Sequence, residues 1–253
     1  MKKSIVKISL MALSCAATLI FTSCISSDDD NTRYYQGYYT ITGTYPNYKL
    51  IEDGGSIVYP TVASVNKVTE SKGFGDNKRA IIAISYDENF LTTNSDGISV
   101  VRNAEIQSGN YLVNVTPISL AAAQDKNIVV TDSVFSIGAF SSYWISNGYL
   151  TTIFTAPVSY APDYLTTGQL INPTVNLCIN PADITENNVT LNLLYNRHTK
   201  KDAMSTNVPN LVYSFDIANI NIPGSDTVNV TLKAEGANDI KLKIPRRSFV
   251  HPQ

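Results

Sequence analysis

Histidine is nearly absent from this 253-residue chain: there are two, His198 and His251, far apart in sequence. Cysteine is almost as rare, with three. These shortages exclude much chemistry. No H-E-x-x-H, C-x-x-C or closely spaced carboxylate loop occurs, so no dedicated zinc or calcium site is predicted. There is no G-x-S-x-G, P-loop or dinucleotide fingerprint. Gly73-Phe74-Gly75 lies among charged turn residues and reads as a hairpin tip. Arg197 and His198 close an alternating segment, where a satisfied strand-end histidine suits the pattern better than a Ser/His/Asp triad. A carboxylate pair needs only two acids and leaves no sequence signature. The expectation is a non-enzyme with no metal and no cofactor.

Charge is also scarce. Charged residues make up 16% of the chain, and 19 Lys and Arg face 21 Asp and Glu. Without a basic excess, a phosphate-tracking protein is disfavoured, and no nucleic-acid partner is expected. Hydrophobic residues, at 43%, suffice for a packed core. Long apolar runs are missing apart from Ile8 to Phe21, which is shorter than the ~20 residues of a membrane span.

That run follows Lys2, Lys3 and Lys7 and reads as a signal peptide over residues 1–23. Ser23 directly precedes Cys24. The order of apolar run, small residue and cysteine resembles a bacterial lipobox, with Phe21 where Leu is commoner, and makes Cys24 the expected acylation site. Cys15 is the rival, but cleavage there would strand Leu19, Ile20 and Phe21 in the mature tail. Residues 24–33 then form an acidic tether. Within it, Asp28, Asp29 and Asp30 resemble the export signal of surface lipoproteins in Gram-negative anaerobes, a plain spacer being the alternative. Cleavage removes three lysines and no acid, so net charge moves from −2 to −5. The acidic body gives no attraction to an anionic membrane, and the acyl chains must supply it. The expected location is the outer membrane, lipid-anchored and facing outward. Cys178 alone remains, so no internal disulfide is expected; it sits in an alternating segment as a half-buried strand residue.

The rest reads with a period of two. Predicted strands run over Tyr38–Thr44, Ser56–Pro60, Arg79–Tyr86, Gly97–Ile106 and Tyr111–Ile118. After the alanine-rich 119–127 come Ile128–Val130, Ser133–Ile137, Tyr143–Ile145, Tyr149–Phe154, Thr174–Ile179, Val189–Arg197, Leu211–Ile217, Thr227–Ala234 and Ile240–Ile244. Asn147-Gly148 between apolar runs is a strong hairpin signal. About five strands before the break fit a small OB-like barrel, and seven or eight after it fit an antiparallel β-sandwich. The expected all-β chain therefore has a barrel over 34–120, a linker over 121–127, a sandwich over 128–245 and a tail over 246–253. Lys241 and Lys243 mark the last strand as a protected edge. Trp144 reads as sandwich core. Tyrosines crowd the segment after the tether, and Tyr34, Tyr35, Tyr38 and Tyr39 are the candidate ligand-binding residues, with burial in the barrel as the competing role.

Several passages together resemble the NigD-like lipoproteins: the lipobox with its acidic tail, Asp132 to Gly138, Tyr143 to Leu150, Leu191 to His198 with Asp202, and Val212 to Asp216. Thr199 departs from the Asn that the family carries after the histidine. The resemblance implies an N-terminal OB-like domain and a C-terminal β-sandwich. It also implies a bacteriocin-immunity-like role through an unidentified protein partner, with a glycan or small ligand as the alternative. It carries over no catalytic residue and no role for Arg197 or His198. Asp132-Ser133-Val134 and Asp226-Thr227-Val228 resemble an O-glycosylation motif of such anaerobes, which makes Ser133 and Thr227 candidate sites. Cys24→Ala is expected to abolish acyl labelling and release the protein from the membrane fraction. Retained labelling in that variant, with loss in Cys15→Ala, would move the anchor.

Overall fold

The computed structural model describes residues 31–72, 79–115, 117–119, 122, 136–198, 204–224 and 226–252. The signal peptide, Cys24, Asp28 to Asp30, Gly73 to Gly75, Ser133 and Thr199 to Asp202 lie outside the described residues. So do the predicted strands at 128–130 and most of 133–137, and all of the linker 121–127 except Ala122. Among the described residues no helix is long and apolar enough to cross a membrane.

The first half contains β1 (Thr32–Thr44), β2 (Asn47–Glu52), β3 (Ile57–Pro60), α1 (Val62–Lys72), β4 (Arg79–Asp87), β5 (Leu91–Thr93) and β6 (Ser99–Tyr111). Sheet order is β3-β2-β1-β4-β6-β5, and β3 also pairs with β6. That parallel pairing closes a five-strand barrel and leaves β5 on its margin. A three-strand meander, a helix and two further strands closed in this way form the expected OB-type barrel. The core follows the strand period. Tyr39 and Ile41 of β1, Leu50 of β2, Ile82 and Ile84 of β4, and Val101 and Ile106 of β6 all lie within it. Each fully buried aliphatic side chain contributes roughly 1.5–3 kcal/mol.

The first half departs from the sequence reading at helix α1, at β2 and β5, which no predicted strand covers, and at the strand expected over Tyr111–Ile118. Helix α1 occupies a stretch with no predicted element. Thr61 starts it by accepting the Ser64 amide at 3.1 Å, and Val65 and Val68 pack onto the barrel core. Its β-branched valines and short length hide a helix from a search for period 3.6. The single strand expected over Tyr111–Ile118 is broken. β6 ends at Tyr111, and β7 (Val113–Val115) and β8 (Ile118–Ser119) enter different sheets.

The second half adds β9 (Ala139–Ser146), β10 (Tyr149–Ser159), α2 (Tyr164–Thr167), β11 (Thr174–Ile179), β12 (Ile184–Thr185), β13 (Asn188–Asn196), β14 (Ser205–Asp216), β15 (Thr227–Ala234) and β16 (Ile240–Pro245). One sheet has the order β7-β14-β10-β9, and the other β16-β15-β13-β11-β8, with β12 on β13. In the larger sheet β11–β13, β12–β13 and β15–β16 are antiparallel, while β13–β15 and β8–β11 are parallel. The β13–β15 pair is parallel because the chain crosses to the other sheet for β14 before returning. Val189, Leu191, Leu193 and Tyr195 alternate into the core from β13, and Val228, Val230 and Leu232 from β15. β16 is an outer strand, with Lys241 and Lys243 exposed as expected for a guarded edge. Trp144 is half-buried.

The compact unit containing the barrel also takes in residues 145–149 and 247–253. Asn147 (φ 54°) and Gly148 (φ 80°) form the predicted tight turn, which needs two left-handed residues in succession. Within this unit Arg79 is wholly buried, and its partner Asp53 has a side chain 12% exposed. Arg79 Nη1 and Nη2 donate to Asp53 Oδ1 and Oδ2 at 2.6 Å each, and Nη1 also donates to Thr40 Oγ1 at 3.0 Å. The guanidinium lies 5.2 Å from the centre of the Tyr149 ring. Asn147 Nδ2 donates to Glu52 O at 3.4 Å and Asp53 Oδ1 at 3.3 Å, and Ser146 Oγ donates to Asp53 O at 3.2 Å. His251 stacks on Tyr149 with ring centres 4.9 Å apart, so this tail residue is a packed one. Removing one member of a buried pair leaves an uncompensated charge. Asp53→Ala is therefore expected to lower unfolding free energy by ~3–5 kcal/mol, read by denaturant melts, with Arg79→Met/Asp53→Leu recovering part of it. An unchanged midpoint would contradict this role.

Candidate functional site

Strand β1 has two faces. Residues 35, 37 and 39 point into the barrel; 34, 36, 38 and 40 point out. Register places Tyr39 opposite Glu52 on β2 and Tyr35 opposite Ile84 on β4, so Glu52 and Ile84 share the inner face. Tyr86, two residues after Ile84, shares it too. These side chains meet at the barrel end where β3 and β6 begin. The cleft there, ≈ 220 Å³, has Tyr39, Val58, Ile84 and Val101 as its apolar floor. Its rim is Tyr35, Glu52, Ser56, Tyr86, Leu91 and Ser99.

Gly37 makes the convergence sterically feasible. A Cβ there would lie 2.9 Å from Tyr35 Cε1, and 3.3 Å from both Glu52 Cγ and Tyr39 Cε2. The missing side chain lets two rings and a carboxylate close over one position. The Tyr35 hydroxyl donates to Glu52 Oε1. Burial first, then the hydrogen bond to Glu52 and its charge, push the Tyr35 phenol well above its ordinary value. Burial first, then the Glu52 charge, does the same to Tyr39. Tyr86 is raised by burial, then by Glu88, against an opposing effect of Arg33. The site thus offers neutral phenols around a carboxylate on an apolar floor.

The four candidate tyrosines separate by position. Tyr35, 44% exposed, and Tyr39, fully buried, belong to this cleft as rim and floor. Tyr34 is 72% exposed on the outer face. Tyr38 is half-buried on that face, where burial first, then the Asp53 charge, pushes its phenol up to about 12 despite Arg79. Glu52, Tyr86 and Leu91 were not legible as site residues, because pairing register rather than sequence proximity brings them here. The available signal was the turn at Tyr45-Pro46, followed by alternating Tyr48, Leu50 and Glu52, which fixes Glu52 opposite Tyr39.

Other candidates lie elsewhere. Cys178 is buried in β11, and desolvation pushes its thiol up to about 11, away from the reactive thiolate. His198 is exposed with φ 60°, its Nε2 bonded to Thr174 Oγ1 and its amide donating to Asn196 Oδ1 at 2.8 Å. Arg197 is buried beside it. Thr227 is half-buried at the start of β15, opposite Pro245. Among the described residues no three His, Cys, Asp or Glu side chains group to hold a metal.

The tyrosine shifts have a pH consequence. A phenol raised from 10 toward 12 favours folding in its neutral form, so its stabilisation is complete below pH 10 and is lost as pH rises through 12. The melting temperature is expected to fall across that window, and phenolate absorbance to show late-ionising tyrosines. Tyr38→Phe is expected to flatten part of the fall; an identical profile in that variant would contradict the assignment.

No family model matches the chain, and no curated protein matches it. Solved structures do resemble it. A protein of Parabacteroides distasonis ATCC 8503, named as toxin-related, is 16% identical over 85% of this chain and 96% of its own, with a TM-score of 0.53. A protein of unknown function from Bacteroides vulgatus ATCC 8482 is 14% identical over 84% of this chain and 90% of its own, with a TM-score of 0.48. A Bacteroides fragilis NCTC 9343 protein named as a lipoprotein is 9% identical over 84% and 97%, with a TM-score of 0.48. What this chain shares with the Parabacteroides distasonis protein is the fold.

Proposed function

We propose that this chain is a lipid-anchored envelope protein that works by binding a protein partner through the open end of its barrel. The observation that carries the reading is the cleft itself, where exposed Tyr35 and Leu91 rim an apolar floor holding an inward-facing carboxylate. An inward carboxylate at an open end contributes little to a core, while a concave apolar site with a few convergent polar groups is the usual form of a recognition site. Tyrosine supplies large contact area at low entropic cost. The Lys2, Lys3, Lys7, apolar run, Ser23-Cys24 sequence supports export and acylation at Cys24. Asp28 to Asp30 support display at the outer face of the outer membrane. The resemblance to NigD-like lipoproteins supports an immunity-like role in which an extracellular polypeptide is captured. The buried thiol of Cys178 and the turn setting of His198 support binding without turnover.

A photo-crosslinking residue at position 35 or 91 of the full chain in cells tests this. A discrete, protease-sensitive adduct is expected from both positions and not from position 164 in the sandwich. No adduct at the cleft, a carbohydrate adduct, or equal adducts from position 164 would overturn it.

A further inference from the structure

We infer that the barrel mouth receives a lysine or arginine side chain of the polypeptide it binds. The inference rests on the binding role proposed above and adds the chemistry of the group recognised. Three observations carry it.

The first is charge. Glu52 faces inward, and its hydrogen-bond partner is a neutral phenol, Tyr35, which occupies Oε1. No partner of Glu52 Oε2 occurs among the described residues. The arginines of the barrel are committed elsewhere. Arg79 is held by Asp53, Arg33 bonds Glu88 at 2.6 Å, and Arg102 lies 5.1 Å from the centre of the Tyr59 ring. A carboxylate in a cleft with a low-dielectric floor attracts a cation more strongly than one in open water.

The second is the aromatic lining. Tyr35, Tyr39 and Tyr86 surround the same space. Ring faces attract ammonium and guanidinium groups, most strongly when those groups are desolvated. Burial pushes all three phenols further above their ordinary value, so the rings present neutral faces and add no anion of their own. Aliphatic stems of lysine and arginine suit the floor of Val58, Ile84 and Val101, with the charged head reaching the carboxylate.

The third is the rim, which favours a polypeptide over a free amine. Beside the cleft, Tyr35 and Leu91 are 44% and 40% exposed, and Phe90 next to Leu91 is 43% exposed. Apolar surface extends past the pocket and suits the residues flanking an inserted side chain. Marginal strand β5 also presents backbone there, since it pairs with β6 alone.

The test is an amide NMR titration of the detergent-solubilised full chain with N-acetyl-lysine amide, N-acetyl-arginine amide and, as the neutral comparison, methyl glucoside. Saturable shifts at Tyr35, Glu52, Tyr86 and Leu91 are expected with both cationic probes, with none from the glucoside. Glu52→Gln is expected to weaken the cationic probes about tenfold, as a charge-assisted hydrogen bond becomes a neutral one. Asp163→Asn, the same charge change on the sandwich, is expected to leave them within about twofold, the scale of a screened surface charge. Absence of shifts, saturation by the glucoside, or equal weakening in both variants would overturn the inference. A cleft that yields polypeptide adducts in cells but no shifts with these probes would leave the binding role standing and remove the cation.

Discussion

The buried pair of Arg79 and Asp53 is the constraint on which the barrel's arrangement depends. A guanidinium with no exposure needs a partner, because removing a charge from water costs several kcal/mol unless its hydrogen bonds are replaced. Asp53, Thr40 and the Tyr149 ring replace them from three chain segments. The pair therefore joins the start of β4, the middle of β1, the end of β2 and the turn between β9 and β10. The barrel could not keep its outer surface in this form with an apolar residue at 79 and Asp53 unchanged.

The same pair bears on the candidate site through the alternation of a strand. Asp53 points outward to Arg79, and Glu52 just before it points inward to Tyr35. The turn between them and β3 is closed by Glu52 N to Ser56 O and Gly55 N to Glu52 O, each 2.9 Å, while Asp53 N reaches Tyr38 O at 3.0 Å. Fixing Asp53 from outside thus limits where Glu52 can sit inside. Recognition sites work best when their polar groups are held before the ligand arrives, since ordering them on binding would subtract from affinity. One dipeptide thus carries two carboxylates that serve opposite faces of the barrel wall.

Much of this architecture was legible in the sequence, and the exceptions have physical causes. Period-two alternation located β11, β13, β15 and β16, a near-continuous apolar run located β4, and Asn147-Gly148 marked its turn, because these signals are local. The all-β class and the barrel-then-sandwich order followed from spacing. Helix α1 stayed hidden behind valines that also favour strands, and β2 behind a run of mixed polarity. The tyrosine cluster marked a strand that lines the cleft but not which of its faces does so. Only pairing shows that Tyr35 and Tyr39 look inward beside Glu52, while Tyr34 and Tyr38 look outward. Arg79 read as the first residue of an apolar strand; nothing local announces that its partner lies 26 residues earlier.

Hydrogen exchange measured along the full chain of Asp53→Asn shows whether the outer ion pair holds the inner carboxylate. If the outer pair holds the inner carboxylate, exchange quickens at the turn over 52–56 and at the 145–149 hairpin tip together, with β13 and β15 unchanged. Faster exchange at the tip alone, with Glu52 and Gly55 amides as protected as before, would show instead that the cleft is built independently of the pair.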